Sequence, residues 1–295
     1  MDVPNMDSDT ARIGTVEKPT ANDTIGRMLV DAGKIKAQDV DRILKLVQAQ
    51  KIRFGEAAIK LGLIKEADVQ KILAHQFDYA YLTPGQGKFS PDLIAAYQPF
   101  SAEAEALRAL RNQLKLRWLG TGHRALVVTG VSGGEGASFL AANLAVAYAQ
   151  LGVKTLLIDA DMRSPRQHEI FGLGKQLGLS DMLAGRADQN ALCGVQTFET
   201  LTVLPAGSIA PNPAELLAGA AFPKLLETLT SSFDVVLVDT PSSQTALDYQ
   251  IVAAHVGGVL MVARRDHTRM EATSTMKEMV EIAGAEVVGA VVNTF

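Results

Sequence analysis

Cysteine is almost absent: Cys193 is the only one among 295 residues. No intrachain disulfide framework can form, and such usage fits a reducing compartment. Long apolar runs are also missing. The run "GGVLMVA" at 257–263 is far short of a bilayer crossing. The opening "MDVPNMDSDT" lacks a basic segment followed by an apolar one, so it does not read as a secretory signal. Excess positive charge is missing too. The net charge of -4 gives no electrostatic reason to expect a nucleic-acid partner. These absences lead us to expect a cytoplasmic protein. An apolar content of 47% is ordinary for a folded chain, and the length suits one large domain or two smaller ones.

Residues 1–21 are polar and aperiodic and read as a flexible tail. A duplication follows, over 22–81. "TIGRMLVDAGKIKAQDVDRILKLV" (24–47) aligns with "RFGEAAIKLGLIKEADVQKILAHQ" (53–76), with Gly26 over Gly55, Gly33 over Gly62, Ile35 over Ile64 and Asp39 over Asp68. Each copy predicts an apolar helix, a glycine able to end it in a left-handed conformation, and a second amphipathic helix. A small all-α docking domain is the simplest reading. Residues 82–99, with three prolines and two glycines, read as a linker. "SAEAEALRALRNQLKLRWL" (101–119) predicts a helix capped by Ser101, with Glu105, Arg108 and Arg111 spaced by three.

From 100 to 295 the expected class is α/β. Near-continuous apolar strands at 125–129, 154–160, 200–207, 233–241, 257–264 and 285–293 alternate with helices at 138–152, 213–230, 244–255 and 268–283. That pattern predicts a mostly parallel sheet flanked by helices on both faces, with a ligand crevice at the carboxyl ends of its strands. Polar motifs fall at those ends. "SGGEGAS" (132–138) offers glycines whose amides can cradle an anion at a helix start, and Ser138 can ligate magnesium. The loop departs from the usual pattern at Val131, where glycine is expected, and at Ala137, where lysine is expected. "LLIDADMR" supplies Asp159, Asp161 and Arg163, and "VVLVDTP" supplies Asp239. These acids suit magnesium binding or general-base work, with Arg163 a nearby charge. The candidate set is Ser132, Gly133, Gly134, Glu135, Gly136, Ala137, Ser138 and Phe139 for nucleotide, Ser138, Asp159 and Asp239 for metal, and Asp159, Asp161, Arg163 and Asp239 for catalysis.

On the loop, the D-x-D-x-R segment and the D-T-P segment, residues 100–295 resemble the bacterial tyrosine kinases, P-loop NTPases related to cell-division and partition ATPases. The resemblance implies ATP or ADP with Mg²⁺ as ligands and Asn293 near the adenine. It also implies homo-oligomerisation through Glu105, Arg108 and Arg111, and a membrane-embedded polysaccharide chain-length or export partner that recruits the protein to the inner face of the membrane. It suggests a tyrosine-autokinase-type regulator of exopolysaccharide assembly, weakened by Ala137. The alternative is a non-catalytic nucleotide-dependent assembly switch. A partition-type ATPase fits less well, because Ser132 stands where those proteins keep a signature lysine. Tyrosines 79, 81, 97, 148 and 249 are scattered, and Tyr79 and Tyr81 are the expected autophosphorylation candidates. The duplicated segment resembles the N-terminal domain of type II secretion and pilus ATPases, some of which bind cyclic di-GMP. The candidate contacts here are Arg53, Gly55, Gly62 and Gln76, while the first copy carries Thr24 and Val47 where that pattern has arginine and glutamine.

Overall fold

The computed structural model describes residues 21–66, 68–69, 72, 81–82 and 88–294. It divides into two compact units, Met1–Asp78 and Tyr79–Phe295. The 1–21 tail falls, save for its last residue, outside the described residues, as do Gln76 and Tyr79.

The first unit contains helices Ala21–Asp31, Ala37–Gln50 and Phe54–Lys60. Leu29, Ile35, Ile43, Phe54, Ala57, Ala58, Ile64 and Ile72 form its core. The duplication is visible bond by bond. Gly33 and Gly62 both take positive φ, at 66° and 67°, and end the first helix of each copy. Asp39 accepts the Lys36 N–H at 3.1 Å, and Asp68 accepts the Lys65 N–H at the same distance. Gly26 and Gly55 serve close approach. A Cβ on the first would sit 3.1 Å from the Phe54 ring, and one on the second 3.1 Å from Val69.

The second unit is built on a seven-stranded sheet, and its apolar strands form where the sequence places them. They are β1 (Ala125–Gly130), β2 (Thr155–Asp159), β3 (Cys193–Gly194), β4 (Leu201–Leu204), β5 (Val235–Asp239), β6 (Gly258–Arg264) and β7 (Glu286–Asn293). Their order is β3-β4-β2-β5-β1-β6-β7, parallel throughout except for β3, which runs antiparallel to β4. The period of two divides each strand between two cores: Leu126 and Val128 face the Ala137–Ala149 helix, while Ala125 and Val127 face the opposite layer. The Ala137–Ala149 helix is buried on nearly every side, which its small residues permit.

Four details differ from the sequence reading. The predicted 101–119 helix is α-helical over Ala102–Leu114, with Ser101 Oγ accepting the Ala104 N–H, and continues as a π-helix over Lys115–Leu119. The predicted 213–230 helix is two helices, Pro213–Ala218 and Ala221–Ser232, broken at Gly219 and Ala220. Short helices at Gln167–Ile170 and Leu179–Leu183, and the short β3, were not anticipated. In its described residues, the 82–99 stretch is not a free linker. Leu82, Leu93, Ala95, Ala96 and Tyr97 enter the sheet-and-helix core. Asn143 holds that stretch from both sides, accepting the Ala95 N–H and donating to the Asp92 carbonyl, each at 2.9 Å.

Candidate functional site

The carboxyl ends of β1, β2 and β5 meet at one crevice, a cavity of about 1110 Å³ lined by Ser132 through Leu140, Asp161, Ser164, Arg166, Thr240 and Asn293, among others. The loop after β1 can turn tightly because Gly134 and Gly136 adopt φ of 77° and 89°. The helix begins at Ala137, so the amides of its first turn have no acceptor within the helix and sit at the cavity wall. The loop is clamped from behind. The Ser243 and Gln244 N–H groups donate to the carbonyls of Gly130 and Val131 at 2.9 and 3.2 Å.

Glu135 is buried, and its carboxylate accepts the Ser132 N–H at 2.9 Å and the Thr268 hydroxyl. That side chain braces the loop. Asn293 donates to the Glu135 carbonyl at 2.7 Å, tying the last strand to the loop, and it also lines the cavity. Ala137 contributes only a methyl group where the loop meets its helix.

Parallel pairing of β2 with β5 sets Asp159 directly beside Asp239. Both are fully buried. Burial and the Asp239 charge push the Asp159 carboxyl well above the ordinary carboxylate range, against the pull of the Gln167 and Arg166 amides. Asp159 accepts N–H groups from Asp161 at 3.2 Å, Arg166 at 3.1 Å and Gln167 at 3.0 Å, so it organises the segment after β2. Burial likewise pushes Asp239 up to about 7, opposed by the hydrogen bond from Gln167. Asp161 accepts the Arg163 and Ser164 N–H groups at 3.1 and 2.9 Å and is the D-x-D carboxylate on the cavity wall.

A residue that motif reading missed stands at the centre. Gln167 is buried, and its Nε2 donates to Asp239 Oδ2 at 2.7 Å and to the Ser138 carbonyl at 3.1 Å. It thereby joins the loop helix to both strand-end acids. Asp239 Oδ1, Gln167 Oε1 and Thr240 Oγ1 are buried without a hydrogen-bond partner. Unsatisfied oxygens in that number at one place mark a spot prepared for something else.

Two arginines lie elsewhere than expected. Arg163 is not among the residues lining the crevice and forms a two-point pair with the buried Asp248, at 2.9 and 3.2 Å. Arg111 is 6% exposed and donates to the Ala147 carbonyl at 2.8 Å, so it packs its own domain together. Glu105 and Arg108 do pair, at 2.6 Å. A spacing of three falls short of a helical turn, so the third member of the series has rotated inward. Of the tyrosines, Tyr148 and Tyr249 are core residues, and Tyr97 donates to the Phe89 carbonyl at 3.1 Å. Gly55 and Gly62 are accounted for by packing and by helix termination.

The family model described as ParA, "NUBPL iron-transfer P-loop NTPase", matches residues 122–295. The tyrosine-protein kinase YwqD of Bacillus subtilis is 33% identical over 202 residues, which cover 68% of this chain and 85% of that protein. The chain belongs to the bacterial tyrosine kinases. The tyrosine-protein kinase Wzc of Salmonella typhi is 35% identical over 202 residues, 68% of this chain, but the chain spans only 28% of its length. The solved kinase domain of the Escherichia coli tyrosine kinase ETK is 32% identical and superposes with a TM-score of 0.68, covering 71% of this chain and 82% of that one. The conserved architecture is thus the P-loop NTPase fold of this kinase family. At position 137, where the loop pattern expects lysine, this chain carries alanine. Among the described residues, no helix is long and apolar enough to cross a membrane.

Proposed function

We propose that the Tyr79–Phe295 unit binds Mg²⁺-ATP and Mg²⁺-ADP in this crevice and acts as a tyrosine-kinase-type regulator of exopolysaccharide assembly, with phosphoryl transfer slowed by Ala137. The observation that carries the reading is the set of unpartnered buried oxygens at Asp239, Gln167 and Thr240 beside a glycine loop that lines the cavity. Oxygen-only donors of this kind suit a hard divalent cation. Ser138 and Asp239 would hold Mg²⁺, which supplies charge neutralisation at the phosphates when bound. The amides from Gly133 to Ser138 would cradle the phosphates, Asn293 would flank the base, and Asp161, on the cavity wall, would take a substrate hydroxyl proton. Asp159 holds the segment that carries Asp161.

The absent lysine matters most in the transition state. Loss of one preorganised donor there costs about 3–4 kcal/mol, or roughly 10²–10³ in rate. Neither Arg163 nor Arg111 replaces it, since both are engaged elsewhere. That favours a second reading of the same site, a nucleotide-dependent assembly switch with little catalysis. In either case the unit works at the cytoplasmic face of the membrane, as a homo-oligomer, through a membrane-embedded chain-length or export partner. Calorimetry with Mg²⁺-ADP and Mg²⁺-ATP tests binding, and absence of heat from both would leave only a scaffold. Phosphotyrosine formation in the natural chain and in Ala137→Lys separates the two readings. Signal in both supports the kinase; signal only in the lysine variant supports the switch.

A further inference from the structure

We infer that Arg166 is the polyphosphate-binding cation of this crevice, standing in for the ammonium group that position 137 lacks. The inference deepens the nucleotide reading and rests on it.

The crevice is strongly acidic for a polyphosphate site. Asp92, Glu103, Glu135 and Asp161 line it, and among the described residues Arg166 is the one lysine or arginine on its wall. Asp159 and Asp239 add buried carboxyl groups at the adjoining strand ends. A triphosphate entering such a site needs a fixed positive charge in addition to any metal it carries.

The geometry supplies one. The backbone of Arg166 is pinned beside the strand ends, because its N–H donates to Asp159 Oδ2 at 3.1 Å and the next N–H to the same oxygen at 3.0 Å. Its side chain is loosely committed. The carboxylate of Glu169 lies 3.4 Å away, three residues on, with both side chains more than half exposed. Such a pair is screened by water and weak, so phosphate oxygens can displace Glu169. The guanidinium fork also offers two-point contact to phosphate from a distance that a methyl at 137 cannot span.

Calorimetric titration of the full chain with Mg²⁺-ATP tests the assignment on five proteins: the natural chain, Arg166→Ala, Arg166→Lys, Ala137→Lys and the double variant Arg166→Ala with Ala137→Lys. Loss of a charge-assisted contact predicts about tenfold to a hundredfold weaker binding for Arg166→Ala. Arg166→Lys should fall between, and in the Ala137→Lys background the loss should shrink below about threefold. Unchanged affinity, or an equal loss in both backgrounds, overturns the assignment. Should Arg166→Ala fail to fold, Glu169→Gln gives the reverse test. Freeing the guanidinium should tighten Mg²⁺-ATP about two- to threefold, and unchanged or weaker binding overturns the assignment. A natural chain that binds neither nucleotide would sink the nucleotide reading itself. A natural chain that binds, matched by Arg166→Ala, would sink only Arg166.

Discussion

Replacing Gln167 with leucine, close in volume and without polar atoms, isolates what its amide does. In the natural chain Nε2 donates to Asp239 Oδ2 at 2.7 Å and to the Ser138 carbonyl at 3.1 Å. A buried bond to a carboxylate contributes about 1.5–3 kcal/mol and a neutral one about 1 kcal/mol. Against this, Gln167 Oε1 is buried with no partner, and leucine removes that cost, again about 1 kcal/mol. The net expectation is a loss of about 1.5–3 kcal/mol. For a unit of this size each kcal/mol moves the midpoint by about 2–4 °C, so Tm should fall by about 3–12 °C. Thermal unfolding followed by circular dichroism measures it. The same substitution frees Asp239 to rotate away from Ser138, so Mg²⁺-ADP affinity should weaken about tenfold or more. A Tm within about 2 °C of the natural chain, with unchanged Mg²⁺-ADP binding, would refute the idea that this amide organises the acid pair.

Three further outcomes follow from the same structure. Asp239 is raised from 3.8 to about 7, so between those values the folded chain holds a proton that the unfolded chain releases. Nucleotide-free stability should therefore fall as pH rises through that window, and saturating Mg²⁺-ADP, which favours the ionised acid, should flatten the slope; Tm series at pH 5 to 8 with and without ligand check it. Arg163→Ala should cost about 2 kcal/mol by stranding the buried Asp248, yet leave Mg²⁺-ADP affinity within about twofold; a tenfold loss in calorimetry would return Arg163 to the crevice. Gly258→Ala would put a Cβ 2.4 Å from the Trp118 ring, whose Nε1 donates to the Ala125 carbonyl at 2.8 Å. Denaturant unfolding should show about 2–3 kcal/mol of destabilisation, since neither the ring nor β6 can easily retreat.

The sheet was legible because parallel strands buried on both faces leave unbroken apolar runs, and the acids at their ends fall where such sheets bind ligands. The glycine loop, Asp159, Asp161 and Asp239 could be read for the same reason. Gln167 could not. Nothing in "RSPRQHE" distinguishes it, and its role exists only because β2 pairs with β5 and brings Asp159 beside Asp239. The apolar stretch from Leu93 to Tyr97 was outweighed by its prolines and glycines, although its partner, Asn143, is a polar residue in the middle of an otherwise apolar helix. Such a residue signals that something outside the helix must accept its bonds. Arginine placement shows the deeper limit. Positions 105, 108 and 111 look equivalent in a spacing pattern, but each step of three slips back about 60° around a helix, so the last lies about 120° from the first. A motif that is one face on paper spans two environments in space, and Arg111 spends its charge on a backbone carbonyl inside its own domain. Arg163 is captured in the same way by Asp248, 85 residues away. Which cation remains available to a phosphate is decided by long-range partners that short motifs do not contain, and that bookkeeping leaves Arg166 on the wall of the crevice.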